Sequence, residues 1–172
     1  MPAHIRLALS DDAHLLPRIE RSAAQAFRSI DGLGWLADAA TLTVDRHRQL
    51  IAQSTCWVAV GADARPTGFL SAERHGSDLH LYELSVRQSV QGQGWGRKLV
   101  ETAMEHARLN QLASVTLTTF THVPWNAPFY RRLGFEHCAG EALDKRLAEI
   151  LAQEYACGFA PDSRCAMSWR VP

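Results

Sequence analysis

The sequence has no excess of charge: its 18 Lys and Arg balance 18 Asp and Glu, with eight His neutral. A balanced chain offers no basic footprint for nucleic acid and no polybasic patch for a membrane surface. Its four cysteines, Cys56, Cys138, Cys157 and Cys165, are scattered, with no C-x-x-C among them. That spacing excludes the usual zinc and redox signatures and reads as reduced thiols. No apolar run approaches the roughly 20 residues a membrane helix needs. The opening MPAHIRLALSDDAH lacks the apolar centre of a secretory signal. Repeats and low-complexity tracts are missing as well. What remains is the expectation of a soluble, cytoplasmic protein forming a single domain over residues 1–172. It should bury a sizeable core and bind no nucleic acid, membrane or metal.

The patterns that are present alternate between strand and helix. His4–Leu9 alternates as a first strand, and Ser10, Asp11 and Asp12 supply caps for a helix over 13–26 with Pro17 in its opening turn. Residues 27–36 (FRSIDGLGWL) are apolar but not periodic, broken by Gly32 and Gly34. A second helix is expected over 44–53, capped by Thr43. Cys56–Val60, Thr67–Glu73 and Leu79–Val86 then read as an antiparallel meander with polar turns between them. A helix after residue 95 leads to a β-rich run, Ser114–Phe120, expected to lie parallel to the central strand because a helical crossover joins them. A short helix over 125–132 ends at Gly134. A strand from Phe135 to Cys138, an amphipathic helix over 141–155 and a closing strand from Cys165 to Val171 complete the chain.

The most informative stretch joins the central strand to the third helix. Gln91-Gly92-Gln93-Gly94-Trp95-Gly96 is followed at once by Arg97 and Lys98. Alternate glycines leave the backbone bare, so consecutive N–H groups can point at a ligand. The helix start behind them adds unpaired N–H groups and a positive dipole end. Together they make an anion site, most naturally for phosphate. The motif is not a dinucleotide fingerprint, because Arg97 stands where the third glycine would be. It is not a P-loop either, because Arg97-Lys98-Leu99 follows Gly96.

The spacing Gln-x-x-Gly-x-Gly resembles the acetyl-CoA pyrophosphate loop of the GNAT superfamily of N-acetyltransferases. Leu84-Ser85-Val86 before it and Phe129-Tyr130-x-x-Leu133-Gly134-Phe135 after it strengthen the resemblance, which spans about residues 79–135. It implies an α/β (α+β) fold with a central twisted mixed sheet of six to seven strands flanked by helices, and a cleft between two parallel strands that takes the pantetheine arm. It implies acetyl-CoA, or coenzyme A, as the cofactor. Gln91, Gly92, Gln93, Gly94, Trp95, Gly96 and Arg97 would then hold the diphosphate, and Leu84, Ser85 and Val86 would contact pantetheine through their backbone. The loop between the first two helices would form a wall of the acceptor pocket, placing Phe27, Ile30, Leu33 and Trp35 against substrate or, alternatively, over the core edge.

The chemistry that follows is acetyl transfer to an amine. An amine has a pKa of about 10 and must lose a proton before it attacks a thioester. The base candidates lie on the central strand. His80 and Glu83 face opposite sides of it, so they are no metal pair, and Glu83, next to Leu84-Ser85-Val86, is the better base. Its alternative role is an ion pair within the sheet. Tyr130 matches the tyrosine that gives a proton to the leaving thiolate. The family's asparagine, seven residues before that tyrosine, is replaced by Val123. Asn126 is the nearest substitute as a cofactor contact, with His122 and Trp125 as lesser pocket candidates. The expected function is transfer of acetyl from acetyl-CoA to the primary amine of a small molecule by direct attack in a ternary complex. The alternatives are a protein lysine or N-terminal acetyltransferase, and a non-catalytic CoA-binding sensor. The extra 141–155 helix is either packing, a lid or a homodimer surface.

Overall fold

The computed structural model describes residues 2–172. Seven strands hydrogen-bond in the order β1-β2-β3-β4-β5-β7-β6, a mixed sheet at the upper end of the expected strand count. They are β1 (His4–Leu7), β2 (Cys56–Val60), β3 (Pro66–His75), β4 (Asp78–Val86), β5 (Ser114–Phe120), β6 (Glu136–Cys138) and β7 (Arg164–Arg170). Five α-helices accompany them: α1 (Leu16–Ala24), α2 (Val44–Ala52), α3 (Trp95–Leu109), α4 (Ala127–Arg132) and α5 (Lys145–Ala156). The residues fall into two compact units. One runs to Arg74 and adds Tyr82–His106; the other is His75–Leu81 with Ala107–Pro172.

In the first unit β1, β2 and β3 pair antiparallel, with a register irregularity at Ala59/Val60. Every residue of β2 is buried, which is why CWVAV shows no alternation: both of its faces are covered. Ala8, Leu16, Ile19, Cys56, Val58, Val60 and Phe69 form one apolar cluster, with Ile51 packed against it. The expected first helix is divided. A 3-10 turn over Ser10–His14 precedes α1, and a second, Gln25–Ser29, follows it. Asp12 explains the early break. Its carboxylate accepts from the Leu9 N–H at 2.7 Å and pairs with Arg6 at 2.7 Å, which fixes a tight turn before Pro17 opens the helix. Residues 34–38 form another 3-10 turn. Thr43 caps α2 as its sequence suggests, accepting from the Arg46 N–H at 3.1 Å.

In the second unit the first residues of β4 pair parallel with β5, from Asp78↔Ser114 to Leu81↔Leu117. The other side of β5 pairs with β7 over its full length, and β6 pairs with β7, both antiparallel. α5 starts at Lys145 rather than 141, because Asp144 is the cap and accepts from the Leu147 N–H at 2.8 Å. Leu143, expected on the helix face, is extended backbone ahead of it. α5 packs on β5 and β7: Leu147 is buried, Arg146 donates to the Thr116 hydroxyl at 3.1 Å, and Glu154 pairs with Arg164 at 3.0 Å. Arg164 also lies over the rings of Phe120 and Phe159, at 4.6 and 5.0 Å. The helix is therefore a packed element of this unit.

Candidate active site

The glycine turn begins where β4 ends. After Val86, Arg87 returns its N–H to the Thr67 carbonyl at 2.8 Å, and a 3-10 turn over Gln88–Val90 leads into the loop. β3 passes close beneath this exit. A Cβ built on Gly68 would stand 3.1 Å from the Ser85 carbonyl oxygen and 3.4 Å from the Val86 Cα. Only a bare residue there lets the two strands approach. Gln91 turns back and donates from Nε2 to the Val86 carbonyl at 3.0 Å, tying the loop to the strand.

Gly92 and Gly94 have φ of +76° and +84°, values that residues with a Cβ rarely adopt. No atom lies within 4 Å of a Cβ built at either, so the turn presents open backbone. Gln91, Gly92, Gln93 and Gly94 are exposed, while Trp95 and Gly96 begin α3 half-buried. Lys98 lies over the Trp95 ring at 4.9 Å, and Arg97 pairs with Glu101 at 2.7 Å. A diphosphate fits this cradle: bare N–H groups at a helix start, with two cations directly behind them.

Glu83 sits in the same unit, half-buried on β4, and accepts a 2.7 Å hydrogen bond from the Ser85 hydroxyl two residues on. Leu84 and Val86 are half-buried and Ser85 is buried. A second carboxyl, Glu20 of α1, lies near enough to act on it. Burial and the like charge of Glu83 push Glu20 up to about 8, against an opposing hydrogen bond from the Leu42 N–H at 3.1 Å. Sequence reasoning missed Glu20. Its signal is a carboxylate four residues after the fully buried Leu16, on the edge of the helix stripe that should be apolar.

Phe27, Ile30 and Leu33 are half-buried and Trp35 is half exposed, in the run of 3-10 turns between α1 and α2. That run is clasped at its base. Gln25 donates to the Ala37 carbonyl at 3.1 Å, and Arg28 reaches both Gln25 at 2.9 Å and Asp38 at 2.8 Å.

The remaining candidates belong to the second unit. Tyr130 is 7% exposed on α4, its ring edge-on to Phe129 and Phe135 at 5.1 and 5.6 Å. Asn126 stands just before α4. Its Oδ1 is buried with no partner among the described residues, an acceptor left for a donor from outside the chain. Val123, at the place of the family's asparagine, is buried as an apolar residue. His122 and Trp125 are exposed. His80 is buried and its Nδ1 lies 3.0 Å from the Thr116 hydroxyl, a structural arrangement.

A central strand delivering a bare glycine turn to a helix start defines an α/β protein built to hold a phosphate-bearing ligand. The sequence model of the acetyltransferase (GNAT) domain matches residues 52–137, and this chain belongs to that family. Among solved structures, the PaiA N-acetyltransferase from Thermoplasma acidophilum, in complex with coenzyme A, is 15% identical, covers 99% of each chain and has a TM-score of 0.69. The ribosomal-protein-S18-alanine N-acetyltransferase from Escherichia coli is 14% identical over 98% of this chain and 94% of its own, with a TM-score of 0.66. A nourseothricin acetyltransferase is 29% identical over 68% of this chain and 65% of its own, with a TM-score of 0.51. The chain is an acetyl-CoA-dependent acyltransferase.

Proposed function

We propose that the acceptor is the primary amine of a small molecule and that Glu83 removes its proton. The observation that carries this reading is the fixed Glu83 carboxylate, held by Ser85 immediately upstream of the glycine turn. The clasped segment from Gln25 to Asp38 supports a small acceptor, since its 3-10 turns close on themselves instead of leaving an extended edge for a peptide. The nourseothricin acetyltransferase named above is in keeping with it.

Acetyl-CoA supplies the activated acetyl group as a thioester. Residues Gln91–Arg97 would hold its diphosphate, and the backbone of Leu84–Val86 would lie along its pantetheine arm, with Gln91 giving up Val86 as the arm arrives. Asn126, with its orphan acceptor, would take a donor from the cofactor. Glu83 then accepts a proton from the ammonium, leaving the nitrogen lone pair free to attack. Tyr130 donates its phenolic proton to the departing sulfur.

The test is an assay of thiol release from acetyl-CoA against a panel of small primary amines and of peptides with free N-terminal or lysine amines. Turnover confined to the small amines is expected, and Glu83→Gln should flatten the acidic limb of the pH–rate profile. Turnover confined to peptides favours a protein acceptor. Tight acetyl-CoA binding without turnover on either panel favours a CoA sensor.

A further inference from the structure

The helix behind the glycine turn carries two cations, and they are held differently. Arg97 pairs with Glu101 one turn on, at 2.7 Å, so its charge is met within the helix. Lys98 pairs with no carboxylate among the described residues; its ammonium lies over the Trp95 indole, 4.9 Å from the ring centre. The negative face of the ring attracts the ammonium without using up its three N–H donors. Trp95 is half-buried and Lys98 is exposed, so the indole is a platform and the ammonium is its open side.

Helix geometry sets where this pair stands. α3 begins at Trp95, and the Lys98 N–H donates to the Gly94 carbonyl at 3.1 Å. Residues four apart share a helix face, as do residues three apart. Lys98 is therefore on the same face as both Gly94 and Trp95. Helix side chains lean towards the N-terminus, and the position of Lys98 over Trp95 shows that lean. The ammonium thus hangs back towards the turn that Gly92 and Gly94 leave bare.

Coenzyme A asks for more than a diphosphate cradle. Its adenosine carries a further phosphate on the ribose 3′ oxygen, beside the diphosphate. A phosphate monoester holds about 1.5 to 2 negative charges at neutral pH. The N–H groups of the turn are neutral and are taken by the diphosphate, and Arg97 is engaged by Glu101. We propose that Lys98, held on the Trp95 ring, binds the 3′-phosphate, so that this protein selects coenzyme A over its 3′-dephospho form. The inference rests on the glycine turn as the diphosphate site and is independent of which amine is acetylated. Lys98 supplies the charge-assisted contact. Trp95 is a positioning residue: it holds a long, flexible stem in place, so less freedom is lost on binding. Arg87 is the other cation beside the loop. It stands before the 3-10 turn on the strand side, away from the helix face of Gly94.

The experiment is calorimetric titration of the full chain with coenzyme A and with 3′-dephospho-coenzyme A at low salt. The wild type is expected to bind coenzyme A about tenfold more tightly, the worth of one hydrogen-bonded contact to a charged group. Lys98→Met keeps an apolar stem for the indole and removes the charge. It should weaken coenzyme A about tenfold and the dephospho form far less, whereas Lys98→Arg should keep the preference. Trp95→Leu should reduce the preference, and Trp95→Phe, which retains a ring face, should keep most of it. Added salt should shrink it. Equal affinity of the wild type for the two ligands, or equal weakening of both by Lys98→Met, overturns the proposal. So does a preference lost in Arg87→Gln and kept in Lys98→Met, which assigns the phosphate to the strand side. Failure of the diphosphate reading shows separately, as wild-type affinity for the dephospho form in Gly94→Val, and takes the proposal with it. Loss of both ligands in Gly94→Val, with both weakened alike by Lys98→Met, keeps the turn and removes the role of the lysine.

Discussion

At the scale of single residues, the glycine turn makes the sharpest demand. Gly94 holds φ of +84° with open space where a Cβ would stand. Valine there meets a backbone conformation that β-branched residues avoid, and its methyls would occupy the space a phosphate needs. Gly94→Val is expected to abolish measurable coenzyme A binding by calorimetry. Gly158→Ala is the control: it has φ of +109° and equally open surroundings, lies outside the loop, and should cost stability while leaving affinity intact. Equal losses in both would assign the effect to backbone strain alone. Tyr130 tests the other half of the chemistry. Its ring is buried against Phe129 and Phe135, so Tyr130→Phe keeps the packing and removes only the hydroxyl. Turnover should fall by about 100-fold, the usual worth of a positioned general acid, with KM for acetyl-CoA little changed. Unchanged turnover in steady-state assays would take Tyr130 out of the mechanism.

At the scale of elements, α5 is the departure from a plain sheet-and-helix reading, and its role follows from its anchors. Leu147 is 1% exposed, and Arg146 and Glu154 bond to residues of the strands beneath. Leu147→Ala should cost about 2–5 kcal/mol, read as a lower urea midpoint, whereas a helix serving as a mobile lid would lose far less. Elements with strong local signals were legible in the sequence. β2 and β5 have the bounds their apolar and β-branched runs imply, and α2 starts where Thr43 caps it. The glycine loop was legible because its requirement is local, a backbone free of side chains. What escaped depends on partners distant in sequence. Asp12 turns the chain early because Arg6 and the Leu9 N–H meet on its carboxylate. Leu143 fits the apolar stripe of α5 but precedes the cap that starts it. Glu20 reads as an ordinary helix carboxylate until the Leu42 N–H, 22 residues away, bonds to it and burial and the charge of Glu83 push it up.

At the scale of the whole molecule, a few displaced titrations set how stability should vary with pH. His47 is fully buried, with both ring nitrogens lacking a partner among the described residues and its ring edge-on to Phe69 at 5.2 Å. Burial pushes it down to about 4. Between about 4 and 6.5 the unfolded chain therefore binds a proton that the native state does not, and stability rises with pH. Glu20, pushed up to about 8, acts with the opposite sign. From the ordinary carboxylate range to about 8 the native state holds the extra proton, so stability falls as pH rises. Glu73, paired with Arg46 and pulled down to about 2, contributes stability that is lost as pH falls from the carboxylate range towards 2, and Asp12 with Arg6 adds to the same limb. His106, lowered by burial, adds a shallow rise just below its ordinary range. The sum is a steep rise at acid pH, near-cancellation of His47 against Glu20 up to about 6.5, and a decline from there to about 8. Urea midpoints measured at half-unit steps of pH test each part. His47→Leu should turn the near-level stretch into a fall, because Glu20 then acts across it with the shallow rise of His106 opposing it near the top. Glu20→Gln should do the reverse, leaving a rise that levels off near 6.5 with no decline beyond. If His47→Leu leaves the near-level stretch unchanged, the imidazole binds no more protons in the unfolded chain than in the folded one, and His47 takes no part in the cancellation.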